Sequence, residues 1–292
     1  MPDLFARPVD ISTERGNFAG LSFGHEEDPI VLCLHGFPDT PDTFRPLARS
    51  SAFGGRRLVA PYARGYRPPD RPASAFPKPE ESGESVFEVL GRDAVAIARA
   101  LSPEVPIDLV GHDNGGFTAY HAMSRAPERF ARAVTLTAGH PAAVFANTSK
   151  LPRQMWKSRY AFLFQIPKLS DWYAERDGFA YLRELWNRWS GPNWTVPDEH
   201  FERVREVMAA SWPTPLEHYR EMAFEGPEEV ISVPTLYLIG EHDGCVEPES
   251  ARGQARYFAE LEERLLPGVG HFPHLEAPDA TVPLIAEWLR RA

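Results

Sequence analysis

The stretch DLVGHDNGGFTAY, residues 108–120, decides how this chain folds. A short apolar run ends in Gly-His, and a Gly-Gly pair opens a segment with the pattern of a helix. A strand, a sharp turn and a helix in this order are typical of an elbow that lifts its tip side chain over the carboxyl edge of a sheet. Asp113 occupies the tip. Such a turn requires small residues on both sides, and Gly111, Gly115 and Gly116 supply them.

The residue type at the tip indicates the chemistry. A serine there would have to lose its proton to a base before it attacked an acyl carbon. An aspartate is already ionised near neutral pH, and a helix N-terminus favours its charge. A carboxylate can attack strained or activated sp3 carbons, and the resulting ester must then be hydrolysed. The alternative role for Asp113 is a helix cap, which Asp favours, but a cap does not require three flanking glycines.

Strand-like and helix-like segments alternate along the chain, which predicts an α/β fold with a mostly parallel sheet flanked by helices. The predicted strands are 29–36, 56–62, 106–112, 131–139, 233–243 and 263–272, and the predicted helices are 85–101, 115 to about 127, 248–261 and the C-terminal segment. The proline-rich stretch 67–81 is predicted to be an irregular loop.

The alternation stops in the middle of the chain. Residues 140–230 are helical and aromatic in pattern and hold six of the seven tryptophans. The simplest interpretation is a core of residues 1–139 and 231–292, interrupted by an inserted helical cap at 140–230.

Composition limits the classes of partner. The chain has 292 residues, and its 31 Lys and Arg against 41 Asp and Glu give a net charge of −10, which disfavours nucleic acid or an anionic membrane surface. No apolar run approaches the roughly 20 residues that span a bilayer, and MPDLFARPVDIS lacks the apolar region of a signal peptide.

The two cysteines, Cys33 and Cys245, form no disulfide framework. We therefore expect a cytoplasmic location. No Cys/His cluster has zinc spacing, so we also expect no metal.

Hydrolysis of an aspartyl ester requires a base for water, and histidine is the usual choice. His271 follows an apolar run and lies in a glycine-flanked loop, which makes it a better candidate than its neighbour His274. The base needs an acid to fix its tautomer. Asp243 is preferred to Glu241 because it directly precedes Gly244, where the chain turns away from the sheet.

The tetrahedral intermediate would need two preorganised donors for its oxyanion. One is the backbone N–H of Asn114, directly after the elbow aspartate. The other is the backbone N–H of Phe37, since the following Pro38 has none.

With these residues assigned, the chain resembles the α/β-hydrolase superfamily and, within it, the epoxide hydrolases. The motifs that carry the resemblance are HGFPDT (35–40), APYARGY (60–66), GHDNGG (111–116), GEHDGCV (240–246) and GVGHFPHLEAP (268–278). They occur in the family's order over nearly the whole chain. The resemblance implies that an epoxide and water give a vicinal diol, with no cofactor.

The resemblance also implies a role for two tyrosines of the cap. In epoxide hydrolases, two lid tyrosines hydrogen-bond and protonate the epoxide oxygen. The segments SRYAFLFQIPKLSD (158–171) and LEHYREM (216–222) match, and they place these roles at Tyr160 and Tyr219. Tyrosines of an aromatic lid are otherwise packing residues.

One departure from the family leaves alternatives open. The family usually has tryptophan directly after the nucleophile, and here that residue is Asn114. Haloalkane and haloacid (fluoroacetate-type) dehalogenases also use an elbow aspartate. The former normally bind the departing halide with that tryptophan, although asparagine is a possible halide donor, and the latter need an arginine near the nucleophile, which DNGGFTAY (113–120) does not offer. A third hypothesis is a non-catalytic binder that keeps the pocket. The substrate, its stereochemistry, the physiological role and the oligomeric state are not readable from the sequence.

Overall fold

One eight-stranded sheet lies at the centre of the molecule. The computed structural model describes residues 6–72, 85–222, 226–227 and 229–291. The strands are β1 (Arg7–Thr13), β2 (Gly16–Phe23), β3 (Ile30–Leu34), β4 (Arg57–Pro61), β5 (Ile107–His112), β6 (Phe130–Leu136), β7 (Thr235–Gly240) and β8 (Leu261–Leu266). Their order across the sheet is β1-β2-β4-β3-β5-β6-β7-β8. The pairs β1–β2 and β2–β4 are antiparallel, and all pairs from β4 to β8 are parallel.

Helices cover both faces of the sheet. These are α1 (Arg45–Arg49), α2 (Val86–Leu101), α3 (Asn114–Arg125), α10 (Pro273–Glu276) and α11 (Pro278–Leu289). Successive strand residues point into two different cores: Leu32 and Leu109 pack with α2 and α3, whereas Val31 and Val110 pack with α1 and α11. Burial on both faces explains why the central strands read as continuous apolar runs. The predicted α/β fold with a mostly parallel sheet flanked by helices is confirmed.

Between β6 and β7, the described residues form six helices. They are α4 (Pro141–Thr148), α5 (Pro152–Lys157), α6 (Arg159–Phe164), α7 (Leu169–Trp189), α8 (Asp198–Ser211) and α9 (Thr214–Arg220). Their aromatic side chains form a third core that reaches down to residues of the loops at the sheet's edge, such as Phe37 and Phe272. In the part of the chain that the structure describes, no helix has both the length and the apolar character needed to cross a membrane.

Two sequence predictions differ from the structure. The helix predicted at 248–261 is wrong, because the segment forms only two short 3-10 turns, Pro248–Ala251 and Gln254–Tyr257. Gly253 lies between the turns with φ +78°, a left-handed conformation that stops a helix. The strand predicted at 263–272 ends at Leu266, so the residues after it are free to form the loop that carries His271. Of the loop predicted at 67–81, residues 73–81 lie outside the described residues.

Candidate active site

The elbow holds Asp113 in a strained backbone conformation between β5 and α3. Its φ of 52° and ψ of −120° are rare for a residue with a side chain and mark sites where neighbouring structure enforces the geometry. A Cβ on Gly115 would lie 2.0 Å from the carbonyl oxygen of Leu34, so the close approach of α3 to β3 requires glycine there. The Asp113 side chain makes no capping hydrogen bond to α3. It points instead toward the loops at the sheet's edge.

Three side chains from three separate loops form a continuous chain of contacts. His271 Nε2 lies 3.3 Å from Asp113 Oδ2, and His271 Nδ1 lies 2.8 Å from Asp243 Oδ2. Asp243 Oδ1 accepts the backbone N–H groups of Cys245 and Val246 at 2.7 and 2.8 Å. Because these two N–H groups hold Asp243 Oδ1, its Oδ2 accepts from His271 Nδ1, and Nε2 faces Asp113. Both His271 and Asp243 are fully buried.

The other candidates for base and acid are placed elsewhere. His274 is buried, with Nε2 lying 2.6 Å from Thr43 Oγ1 and its ring stacked on Phe44. Glu241 is half exposed and accepts the N–H of Gly268. Thus the structure brings together the two residues predicted from the sequence: His271 lies next to Asp113, and Asp243 lies next to His271.

Electrostatics reinforces this arrangement. Burial lowers the pKa of His271, but the Asp243 and Asp113 carboxylates outweigh burial and raise the pKa to about 10. Burial raises the pKa of Asp113, but His271 and the Phe37 N–H outweigh it and hold that pKa below its usual value. Near neutral pH the pair is therefore an aspartate beside an imidazolium.

A backbone donor holds the second oxygen of the elbow carboxylate. The N–H of Phe37 donates to Asp113 Oδ1 at 2.9 Å. A Cβ on Gly36 would lie 2.4 Å from the Asp113 Cβ and 2.6 Å from its Oδ1, so glycine is needed for this approach. Asn114, the second predicted donor, is buried directly after Asp113 and begins α3. Of the two predicted oxyanion residues, Phe37 thus contacts the carboxylate directly, and Asn114 follows it in the chain.

The two predicted tyrosines come from α6 and α9 and face the same cavity as Asp113. This cavity of about 570 Å³ is lined by Asp113, Asn114, Tyr160 and Tyr219 together with apolar residues, and its size suits a small organic molecule. The Tyr160 and Tyr219 rings meet edge to face, with centroids 5.8 Å apart. Burial is the main cause that raises the pKa of each phenol well above its ordinary value, so both are neutral donors.

Two residues at the site have no role in the sequence predictions. Glu276 accepts three backbone N–H groups, those of Gly191, Gly270 and Phe272, at 2.9, 2.7 and 2.9 Å. It thereby ties the His271 loop to the chain just after α7. Cys245 lines the cavity, with Sγ 3.3 Å from Tyr160 Oη. The sequence could have pointed to both residues by their positions, because Glu276 comes five residues after His271 and Cys245 comes two residues after Asp243.

Among the residues that the structure describes, two groups of buried side chains have the donor types of a metal site. Asp113, Cys245 and His271 bring three potential ligand atoms within 4.8 Å of one another, and so do Asp39, His112 and His274. The first group includes Asp113 and His271 of the contact chain described above, so a cation bound there would engage the Asp113 carboxylate. In the second, His112 Nε2 donates to the His271 carbonyl oxygen at 2.9 Å, so this group supports the His271 loop from below.

Comparisons with known proteins agree with this architecture. A family model described as the alpha/beta hydrolase fold matches residues 29–278. The chain is 26% identical to epoxide hydrolase 3 of Xenopus tropicalis, over 94% of this chain and 74% of that protein. It is 30% identical to epoxide hydrolase 3 of Mus musculus, over 86% and 68% of the two chains. It is also 30% identical to the AB hydrolase superfamily protein YfhM of Bacillus subtilis, over 91% and 92%.

A solved structure gives the same result in three dimensions. An epoxide hydrolase from metagenomes of hot environments superposes with a TM-score of 0.81 at 25% identity, covering 98% of this chain and 99% of its own. The match extends over the sheet and the helices between β6 and β7. The chain is therefore a hydrolase of the α/β-hydrolase fold family and belongs, within that family, to the epoxide hydrolases.

Proposed function

We propose that the protein opens an epoxide to a vicinal diol through an ester on Asp113. One observation carries this proposal: the Asp113 carboxylate lies between an imidazole on one side and a cavity with two phenols on the other. That arrangement supplies a nucleophile, a base and two acids to one small molecule. The activity named for the relatives supports the same reaction.

In the first step, Asp113 Oδ2 attacks an epoxide carbon and the C–O bond to the ring oxygen breaks. Oδ1 remains as the ester carbonyl, because the N–H of Phe37 holds it. The phenols of Tyr160 and Tyr219 donate to the departing oxygen, which takes its proton from one of them as the ring opens. The phenolate that remains regains its proton from the His271 imidazolium, which becomes more acidic once Asp113 has lost its charge in the ester. An alkoxide is a poor leaving group in water, and this donation makes it acceptable.

In the second step, His271 takes a proton from water, and the oxygen of that water adds to the Asp113 carbonyl carbon. Asp243 keeps the imidazole in the required tautomer and stabilises its positive form. The N–H groups of Phe37 and Asn114 stabilise the oxyanion. Collapse of the intermediate breaks the bond between the carbonyl carbon and the alkyl oxygen, and that oxygen takes the proton from His271 as the diol leaves. The acid proton left on Asp113 then passes to His271, which restores the starting pair of carboxylate and imidazolium.

The helices between β6 and β7 act as the cap in this scheme. They provide both phenols and an apolar wall, so that the reacting carboxylate is screened from bulk water. We also propose a cytoplasmic location, which the two buried and unpaired cysteines support, since a reducing compartment keeps such thiols free.

Diol formation from a panel of aryl and alkyl epoxides tests the reaction. The parent protein and an Asp279→Ala control, changed at an exposed carboxylate of α11, are expected to form diol, and Asp113→Ala is expected to form none. Halide release from matched haloalkanes is measured in the same assay. Halide without diol would assign the chain to the dehalogenases, and turnover of neither class would favour a non-catalytic binder.

A single turnover in 18O-labelled water, with enzyme in excess, tests the ester. The label is expected in the Asp113 carboxylate, and the diol is expected to carry none, because its new oxygen comes from Asp113. Label in the first diol formed would mean that water attacks the epoxide directly.

A further inference from the structure

The outer surface of α4 to α7 is unusually apolar. Among the described residues, ten large apolar side chains are exposed, and seven of them belong to this surface, with exposed fractions from 40% to 69%. We call it the exposed aromatic face, and it consists of Phe145, Met155, Trp156, Phe162, Ile166, Leu169 and Trp172. The other three, Val105, Val230 and Leu265, lie far apart in the sequence. A patch of this kind on a soluble chain marks a binding surface.

The exposed aromatic face is continuous with the mouth of the active-site cavity. Phe145, Met155 and Phe162 belong to the face and also line the cavity that contains Asp113 and both phenols. Leu169 lines a second hollow, on the other side of Tyr160. Whatever covers this face therefore lies at the entrance to the site.

The charge of this segment is opposite to that of the whole chain. Residues 145–177 contain six Lys or Arg and three Asp or Glu, a net charge of +3, in a chain with a net charge of −10. The rest of the chain therefore carries −13. Lys150, Arg153, Lys168 and Arg176 are exposed on the same helices and loops as the aromatic residues.

The basic and aromatic side chains are interleaved. The Arg159 guanidinium lies over the Trp156 ring at 4.4 Å, and that of Arg176 lies over the Trp172 ring at 5.3 Å. Tryptophan rings beside arginine are typical of protein surfaces at the boundary between lipid headgroups and acyl chains. In that setting the rings enter the boundary layer, and the cations meet lipid phosphates.

We propose that the exposed aromatic face docks reversibly on an anionic lipid surface, with the cavity mouth turned toward the bilayer. In such a membrane, the boundary of the acyl chains accommodates the apolar side chains, and the anionic headgroups attract the basic ones. The sequence prediction against an anionic membrane rests on the net charge of the whole chain. That total does not reveal that residues 145–177 carry a net charge of the opposite sign. The docking does not rest on the proposed reaction, although it would deliver apolar substrates to the cavity directly.

A second copy of the chain is a poorer occupant. In a two-fold symmetric contact the face would meet itself, and each basic side chain would face the same basic set on the partner. The acidic remainder of the chain would stay outside that contact. A membrane with anionic headgroups has no such repulsion.

Flotation with lipid vesicles tests the proposal on the full-length protein. Vesicles of phosphatidylcholine mixed with phosphatidylglycerol are expected to carry the protein, and binding should weaken at high salt because it depends on charge. Lys150→Glu with Lys168→Glu should reduce partitioning by at least about fivefold, since each basic side chain near the surface contributes roughly 1 kcal/mol. Arg49→Glu with Arg99→Glu, two exposed arginines elsewhere, is the matched control and should bind like the parent.

The apolar contribution is tested with a second pair. Trp156→Gln with Trp172→Gln should lose most binding, and Val105→Gln with Val230→Gln should retain it, with circular dichroism showing that all variants fold. Equal binding to pure phosphatidylcholine, or no binding to either vesicle, would overturn the proposal. So would a stable dimer in light scattering that the tryptophan pair dissolves, because a second copy would then cover the face. Vesicle binding is read without turnover, so its failure is distinct from failure of the proposed reaction.

Discussion

At the scale of single residues, the charge on Asp113 controls what His271 can do. While Asp113 is an anion, it helps raise the pKa of His271 to about 10, and the ring is an imidazolium. An imidazolium cannot take a proton from water. In the proposed reaction, formation of the ester removes the negative charge, so the pKa of His271 is expected to fall and the ring to become a base for ester hydrolysis. The same residue pair thus separates attack from hydrolysis.

This coupling predicts that Asp113→Asn lowers the pKa of His271, because it removes one of the two charges that raise it. The titration of the imidazole nitrogens by NMR measures the change, and we expect the pKa to fall by more than one unit. Asp279→Asn, at an exposed site, should leave it unchanged. An unchanged His271 pKa in Asp113→Asn would mean that Asp243 alone sets it.

Stability should follow the same titration. The pKa of His271 is raised in the folded protein from the usual 6.5 to about 10. Its contribution to stability is therefore fully present below pH 6.5 and is lost as pH rises through 10.

At the scale of loops and helices, close backbone approaches keep the oxyanion donor beside the carboxylate. Gly36→Ala would put a Cβ 2.4 Å from that of Asp113, so the loop after β3 must shift and move the Phe37 N–H. We expect a loss of diol formation of more than about tenfold, in line with the loss of an oxyanion donor. Gly54→Ala, whose Cβ would meet its nearest atom at 3.2 Å, is the control for a surface glycine. Full activity in Gly36→Ala would remove Phe37 from the proposed mechanism.

Glu276 has a comparable role for the His271 loop. Its carboxylate accepts three backbone N–H groups from two segments, and an amide in its place loses the charge and one acceptor. Glu276→Gln should lower the free energy of unfolding by about 2 kcal/mol and slow ester hydrolysis more than ester formation. Chemical denaturation and single-turnover kinetics measure the two effects. Glu249→Gln, on an exposed turn, should match the parent, and a Glu276 variant with parent stability would show that the loop holds itself.

The sequence predicts those parts of the fold and site that depend on local pattern. The strands β3 to β7 are recognisable as short continuous apolar runs, and glycines mark the elbow. Parallel strands bring their carboxyl ends to one edge, which locates the loops after them. Neither β1 nor β2 is among the predicted strands; in β1, Ile11 is the one buried residue, and no apolar run exists. The contact of Glu276 with Gly191 joins positions 85 residues apart, and no local pattern encodes it.

At the scale of the whole molecule, α7 connects the helices between β6 and β7 to both loops of the site. The Trp186 indole N–H donates to the Pro38 carbonyl oxygen at 2.7 Å, directly after Phe37. The same indole stacks on Phe272, next to His271, with centroids 3.6 Å apart. One side chain of α7 thus fixes the loop of Phe37 and the loop of His271 relative to each other.

This contact predicts that Trp186→Phe impairs the two loops together. Phenylalanine keeps an apolar ring against Phe272 but cannot donate to Pro38, so we expect a loss of about 1 kcal/mol in stability for the missing hydrogen bond, plus a packing loss from the smaller ring. Ester hydrolysis in the proposed mechanism needs the Phe37 N–H and the His271 ring correctly placed relative to each other. We therefore expect the rate of ester hydrolysis to fall by a larger factor than the affinity for the substrate. Trp172→Phe, at an exposed position on the same helix, is the matched control. Parallel losses in binding and hydrolysis would instead mean that Trp186 supports the cavity wall, and that each loop is held by the core alone.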